Sequence, residues 1–387
     1  MLLVNHLLDP TIGGGTAERT YQLARFMTSQ RVECTILALD IGLGPERREA
    51  FGFAHLKTIP CLNRRYFLPG ISMRRLRALV EACDIVLLSG HWTILNYLVA
   101  RACQQVKRPY LFAPAGALVP FGRSLGLKRI YDVIFGRAIV RNAACWIAVT
   151  AAERADFVPY GIDDQHVVVI PNGIDPDAYR AQFDDAQAFR LATALGDSPY
   201  VLFLGRLNLI KGPDLLIEAF SMVAPKHPGI HLVMAGPDDG IQSDLKKAAE
   251  MSGLQDRIHF PGFLEGAVKA AALRGASLLV IPSRREAMSI VVLEAGTCGC
   301  PVVFTDTCGL EALAQRRAGS MTAVSAVELA EAIDLLLMDS EFGRSQAERL
   351  QRIVSEEYTW NTQAHRLIAY ARRVLATPSN EQWRNFT

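Results

Sequence analysis

The feature that most constrains the fold is a regular alternation of short aliphatic, β-branched runs with longer stretches of helical periodicity. The early runs are MLLVNHLL (1–8), CTILAL (34–39), DIVLLSG (84–90), PYLFAP (109–114), CWIAVT (145–150) and VVVIPNGID (167–175). Helical stretches at 16–30, 93–107 and 127–141 lie among them. A second series begins at YVLFLGR (200–206) and continues through IHLVMAG (230–236), RIHFPG (257–262), SLLVIPS (277–283) and PVVFTD (301–306). Helical stretches at 213–224, 242–252, 267–275 and 289–298 separate these runs. Parallel strands need long crossovers, usually helices, so the pattern predicts parallel sheets of the α/β class.

Two successive series predict two Rossmann-like, doubly wound domains, and 387 residues exceed what a single core usually serves. The Asn172–Gly173 turn and the polar 176–198 stretch suit a linker. The expected division is an N-terminal domain over 1–175, a C-terminal domain over 176–357, and a closing helical segment over 358–387. Open α/β sheets bind ligands at the carboxyl ends of their strands, so two facing domains would form a ligand cleft.

Charge narrows the function. The formal net charge is +2, which argues against a nucleic-acid binder with a strong basic field. Residues 1–175 nevertheless hold 20 Lys and Arg against 14 Asp and Glu, while the remainder is acidic. Asp9 and Pro10 cut the short apolar start, which lacks a basic flank, so no signal peptide is expected. No apolar run approaches a membrane span. The eight cysteines, at 34, 61, 83, 103, 145, 298, 300 and 308, show no paired zinc spacing and suit a reducing, cytoplasmic compartment.

Four constellations carry chemistry. Gly13, Gly14 and Gly15 stand between the first strand and a helix, where backbone can approach a phosphate at the helix N-terminus. The spacing is neither a dinucleotide fingerprint nor a Walker loop, and a plain turn would look the same. Arg206 and Lys211 follow a strand end; beside a diphosphate, two such cations would stabilise a departing nucleotide, though surface charges are the commoner fate. The run PSRREAMSIVVLEAG places Glu286 in a loop and Glu294 inside an apolar helical stretch. Carboxylates accept paired hydrogen bonds from vicinal sugar hydroxyls, and eight helical residues would separate the two by about 12 Å. The alternative is a buried ion pair or a capping role for Glu294. His91, at the end of DIVLLSG, could donate to a phosphate or sugar hydroxyl, or be structural. A fifth segment, NRRYFLPGISMRRLR (63–77), has five arginines and no acid: a solvated loop by default, or a patch for an anionic membrane surface.

Together these runs resemble the retaining GT-B glycosyltransferases of family 4, across nearly the whole chain. The family's Glu-x7-Glu signature matches PSRREAMSIVVLEAGTCGCPV, and its diphosphate-binding Arg and Lys match Arg206 and Lys211. The resemblance implies that Glu294 holds the donor ribose and Glu286 the transferred sugar. Backbone N–H groups of Met288, Ser289 and Ile290 would meet the diphosphate or sugar, and Phe263 and Leu264 the nucleobase. Gly13–Gly15 would be the family's glycine loop and His91 its N-domain histidine near the donor sugar. PYLFAPAGAL looks like the PxGxL segment of members that build surface polysaccharides, and the last helix would cross back to the N-terminal domain. Ala287 and Ser289 replace the usual glycines, which puts the identity of the sugar in doubt.

The implied activity is transfer of a hexose from a nucleoside diphosphate sugar to a hydroxyl of a glycan or lipid-linked acceptor. It needs no metal and no cofactor beyond the donor, and peripheral contact with an anionic membrane is expected. The other readings are a nucleotide-sugar epimerase, a phosphorylase on the same plan, and a non-catalytic nucleotide-sugar-binding subunit.

Overall fold

The computed structural model describes residues 1–120, 124–179, 187, 189–191, 193 and 195–377. The chain forms two compact units, Met1–Gly173 with the segment from Trp360 onward, and Ile174–Thr359. Part of the 176–198 stretch and the last ten residues of the 358–387 segment lie outside the described residues.

The sheet of the first unit is parallel throughout. Its strands are β1 (Leu2–Val4), β2 (Thr35–Leu39), β3 (His55–Ile59), β6 (Val86–Ser89), β7 (Tyr110–Ala113), β8 (Cys145–Ala148) and β9 (Val167–Val169), in the order β3-β2-β1-β6-β7-β8-β9. Strands β4 (Cys61–Asn63) and β5 (Leu68–Pro69) pair separately as a small antiparallel hairpin. The central strands are buried on both faces, which is why they read as continuous aliphatic runs. Winding reverses between β1 and β6, so the loops after these two strands meet at a switch point. On one face of the sheet, Trp360, Ala364, Leu367 and Val374 of the closing helix Trp360–Ala376 share a core with Leu23, Ala24 and Met27 of helix Pro10–Ser29.

The second unit repeats the plan with β10 (Tyr200–Leu204), β11 (His231–Ala235), β12 (Ile258–Gly262), β13 (Leu278–Ile281), β14 (Val302–Thr305) and β15 (Ser320–Thr322). The order is β12-β11-β10-β13-β14-β15, again all parallel. Its switch point falls between β10 and β13, which brings the loop carrying Arg206 and Lys211 beside the loop carrying Glu286.

Some elements depart from expectation. The 63–77 segment is not a free loop: it comprises the hairpin and the start of helix Met73–Glu81, which buries Leu76 and Val80. Ser72 starts that helix by accepting from the Arg75 N–H at 3.4 Å. The 127–141 stretch is split into helix Leu125–Tyr131, a π turn at Asp132–Gly136 and helix Arg137–Arg141. Edge strands β3 and β15 escape sequence reading because their exposed positions dilute the apolar pattern.

The glycine triplet also needs correction. A first helical turn begins at Pro10, ahead of the helix that follows the glycines, because Asp9 Oδ1 accepts from the N–H groups of Thr11 and Ile12 at 2.9 and 3.0 Å. Proline at the first helical position and an aspartate cap make a strong start. Gly14 then breaks the helix with φ 56° and ψ −142°, a conformation that glycine alone adopts readily. The glycines are therefore a break between a short helical turn from Pro10 and the helix that follows them.

Candidate functional site

In the second unit the site is built from loop to loop. Gly212 has φ +71°, and a Cβ there would run into the carbonyl of Pro282. The Lys211 loop can therefore lie against the Pro282–Glu286 loop, and Lys211 Nζ comes within 2.8 Å of Glu286 Oε1. Ser283 Oγ donates to the same oxygen at 2.7 Å. Glu286 is fixed from behind as well, its N–H donating to Thr307 O at 2.9 Å. Thr305 and Thr307 both donate their hydroxyls to Ser283 O, so the loops after β13 and β14 are laced together. Arg284, which sequence reading passed over, holds Asp214 with two bonds of 2.8 and 2.6 Å and donates to Leu209 O. It clamps the loop that carries Lys211.

Glu294 lies in helix Ile290–Cys298 and is buried. Only the stretch from Ile290 to Glu294 is helical, so the 12 Å separation expected of an eight-residue helical advance does not apply. Lys269 Nζ, from helix Gly266–Gly275, sits 2.9 Å from Glu294 Oε1. The other oxygen, Oε2, is buried with no partner among the described residues. Ser289 stands at the N-cap of the same helix yet makes no capping bond, and its buried hydroxyl likewise lacks a partner there. Its own N–H is taken by Cys308 O at 3.1 Å, which corrects the expectation of a free backbone donor at Ser289. Ile290 is half-buried and Met288 buried. A helix start left without its serine cap, an unsatisfied buried hydroxyl and an unsatisfied buried carboxylate oxygen are groups that an oxygen-rich ligand could satisfy.

Arg206 is half-exposed and lies 3.7 Å from Asp239, so the structure brings Lys211, not Arg206, to Glu286. Phe263 is exposed just past the carboxyl end of β12, with Leu264 half-buried beside it. Among the described residues no group of three or more His, Cys, Asp or Glu is placed to hold a metal ion.

In the first unit, Gly13 is packed so that a Cβ would meet Leu7 and Ala17, while Gly14 faces open space. His91 lies in the interior of this unit. Its side chain is fully buried, and its ring packs edge-on against Trp92, Phe112, Tyr131 and Tyr160. Nε2 donates to Asp132 Oδ1 at 3.1 Å, and Tyr160 donates its hydroxyl to the same oxygen at 2.8 Å. Burial works to raise the Asp132 carboxyl, but these two hydrogen bonds together with the neighbouring charges, Arg137 among them, hold the group below its ordinary range. In this arrangement the His91 ring packs against the Asp132 turn, and its buried Nδ1 has no partner among the described residues. Sequence reading also missed Arg19, which donates to Ile170 O, Pro171 O and Asn172 Oδ1 and thereby pins the Asn172–Gly173 turn. Burial pushes its guanidinium down to about 10, against the opposing charge of Glu153.

Two α/β units, each built on an all-parallel sheet with a switch point, follow the plan of the GT-B glycosyltransferase fold. The comparisons agree. HepE of Anabaena, solved in complex with UDP and glucose, superposes with a TM-score of 0.79 at 20% identity, covering 96% of this chain and 99% of that one. WaaG, a glycosyltransferase involved in lipopolysaccharide biosynthesis, gives 0.68 at 18% identity, with 95% and 99% covered. The Glycosyltransferase Family 4 model matches residues 13–178, and the Glycosyl transferases group 1 model matches 185–372. The chain belongs to family 4 of the GT-B glycosyltransferases.

Among curated relatives, D-inositol 3-phosphate glycosyltransferase of Jonesia denitrificans is 26% identical over 305 residues, 76% of this chain and 69% of the relative. The protein of that name from Mycobacterium tuberculosis is 31% identical over 235 residues, 58% of this chain and 47% of the relative. The chain thus spans about half the length of several curated relatives it matches.

Proposed function

We propose that the protein is a retaining transferase that moves a hexose from a nucleoside diphosphate sugar to a hydroxyl of a glycan or lipid-linked acceptor. Surface polysaccharide synthesis at the cytoplasmic side of a membrane is the setting this reading gives it. The observation that carries the reading is the pair of buried oxygens without a partner among the described residues, Ser289 Oγ at the uncapped start of helix Ile290–Cys298 and Glu294 Oε2 within that helix. A buried polar atom without a partner is costly unless a ligand satisfies it.

In this reading Glu294 accepts ribose hydroxyls and Glu286 the hydroxyls of the sugar. The helix start and Ser289 face the diphosphate, and Phe263 and Leu264 lie beside the base. Lys211 has three donors, so it can keep Glu286 and still offer an N–H to a phosphate oxygen. With Arg206 it supplies the charge that stabilises the departing nucleoside diphosphate, without a metal. The leaving phosphate takes the acceptor's proton while attack occurs on the face it vacates.

The acceptor is open to a second reading. The curated relatives bear the name of an inositol phosphate transferase, so D-inositol 3-phosphate stands beside lipid-linked acceptors.

The test is release of nucleoside diphosphate from a panel of nucleotide sugars in EDTA, with and without each acceptor. Release that requires an acceptor supports transfer. Conversion of donor without acceptor points to an epimerase, dependence on orthophosphate to a phosphorylase, and binding without turnover to a regulatory subunit. Glu294→Ala with unchanged donor affinity and activity would sink the site assignment.

A further inference from the structure

We propose that Arg284 is a positioning residue for the donor diphosphate: by binding both oxygens of Asp214, it keeps that carboxylate from capturing Lys211. The role rests on the reading of a nucleoside diphosphate donor, and it adds a residue that touches no part of that donor.

Two carboxylates flank the Lys211 loop. Glu286 Oε1 lies 2.8 Å from the Lys211 ammonium, and since Glu286 takes the sugar in the proposed arrangement, the lysine serves the phosphate next to that sugar. Asp214 stands three positions beyond Lys211, in the first turn of helix Pro213–Val223. A helix N-terminus favours an ionised aspartate, so this carboxylate keeps its charge whether or not it is paired. Arg284 meets it with both arms of its fork, Nη1 at 2.8 Å from Oδ1 and Nη2 at 2.6 Å from Oδ2. The same Nη1 donates to Leu209 O at 2.6 Å, so Asp214 lies against the lysine's own loop.

A planar guanidinium suits a carboxylate edge, and both Asp214 oxygens are committed to it. Lysine is a flexible point charge, and with Asp214 free it would be divided between two acids. A phosphate would then have to win the ammonium from Asp214 as well. The path of the loop, by contrast, does not hang on the Arg284 side chain. Gly212 packs against the Pro282 carbonyl. The Lys211 N–H donates to Asn208 O at 3.1 Å and to its Oδ1 at 3.0 Å, and the Arg284 backbone N–H donates to Ile210 O at 2.8 Å. These contacts outlast a change of the Arg284 side chain. What such a change releases is Asp214.

The test is calorimetric titration of the full chain with UDP, GDP, ADP and CDP and with the matching monophosphates. Arg284→Met should weaken the preferred diphosphate about tenfold and change its monophosphate less than about twofold, because a monophosphate lacks the phosphate next to the sugar. Asp214→Asn removes the competing charge. Alone it should bind like the wild type, and added to Arg284→Met it should restore diphosphate affinity to within about twofold. Arg284→Lys keeps the charge but cannot bind both oxygens side by side, so it should lose about threefold in the same pattern and recover with Asp214→Asn. It carries the test should the methionine variant fail to fold. Equal losses on mono- and diphosphate, no recovery with Asp214→Asn, or Asp214→Asn as damaging as Arg284→Met would each mark a plain structural clamp and overturn the proposal. A wild type that binds none of these diphosphates removes the donor reading and this role with it. Arg284 variants that bind diphosphate as the wild type does remove the role alone.

Discussion

The Lys269–Glu294 pair predicts opposite effects on folding and on ligand binding, and so separates the two roles of Glu294. Replace Lys269 by Met, and Glu294 keeps its charge while losing the single countercharge it touches among the described residues. An exposed pair of this kind contributes about 0–1 kcal/mol, whereas breaking a buried pair costs about 3–5 kcal/mol. Here the side chains are 24% and 9% exposed, and Glu294 Oε2 has no partner to share the charge, so the cost should be about 2–3 kcal/mol. For a unit of this size that lowers the melting temperature by about 4–12 °C. Glu294→Gln leaves no buried charge and lets Lys269 reach water, so its cost should stay near 1 kcal/mol. In the Gln background, Lys269→Met should then cost clearly less than in the wild type, a coupling of about 1–2 kcal/mol. Urea unfolding with unchanged slope measures all four corners of the cycle. Donor affinity should show the reverse order, with Glu294→Gln the more damaging change. An additive cycle, or a Lys269→Met protein within about 0.5 kcal/mol of wild type, would refute the claim that Glu294 is held as a buried charge.

Two further perturbations test neighbouring claims. Gly212 and Gly253 both have positive φ, but only Gly212 has a carbonyl in the place of a Cβ. Substituting Ala should cost about 1 kcal/mol at Gly253 and distinctly more at Gly212, with donor affinity lost only at Gly212; equal losses in thermal unfolding would refute the close approach. His6, half-buried with an Nδ1 that has no partner among the described residues, is pushed down from 6.5 to about 4 by desolvation. Between those values the unfolded chain binds the extra proton and the folded chain does not, so stability is full above the upper value and falls on acidification toward the lower one, by up to about 3 kcal/mol. His6→Gln should flatten that part of the profile, and an unchanged slope in pH-dependent unfolding would count against the assignment.

The legible parts of the molecule are those encoded by neighbours in sequence. The alternation of strands and helices survives translation into structure because each central strand is an unbroken aliphatic run. Glu286 and Glu294 are visible because the residues around them form a long, specific pattern. What sequence did not reveal depends on residues far apart along the chain. Lys269 reads as one lysine in an alanine-rich helix until folding sets it against Glu294, 25 positions away. His91 is correctly placed at a strand end, yet its burial is decided by Tyr131 and Asp132, about forty positions on. The helical turn ahead of the glycine triplet went unread for a different reason. Asp9 and Pro10 are a strong helix start, and three glycines drew attention away from it.

The pairing of each glutamate with a lysine bears on what the carboxylates can do. Glu286 Oε1 already receives the Lys211 ammonium and the Ser283 hydroxyl, and Glu294 Oε1 the Lys269 ammonium. An oxygen so occupied is aimed and weakened as a nucleophile, because its lone pairs are committed to donors. The remaining oxygen of each group keeps the full acceptor capacity that a hydroxyl needs. Two lysines that fix one oxygen apiece therefore turn a pair of carboxylates into two oriented acceptors. That division of labour is what a donor clamp requires, and it is the reverse of the paired acid and nucleophile of retaining glycoside hydrolysis.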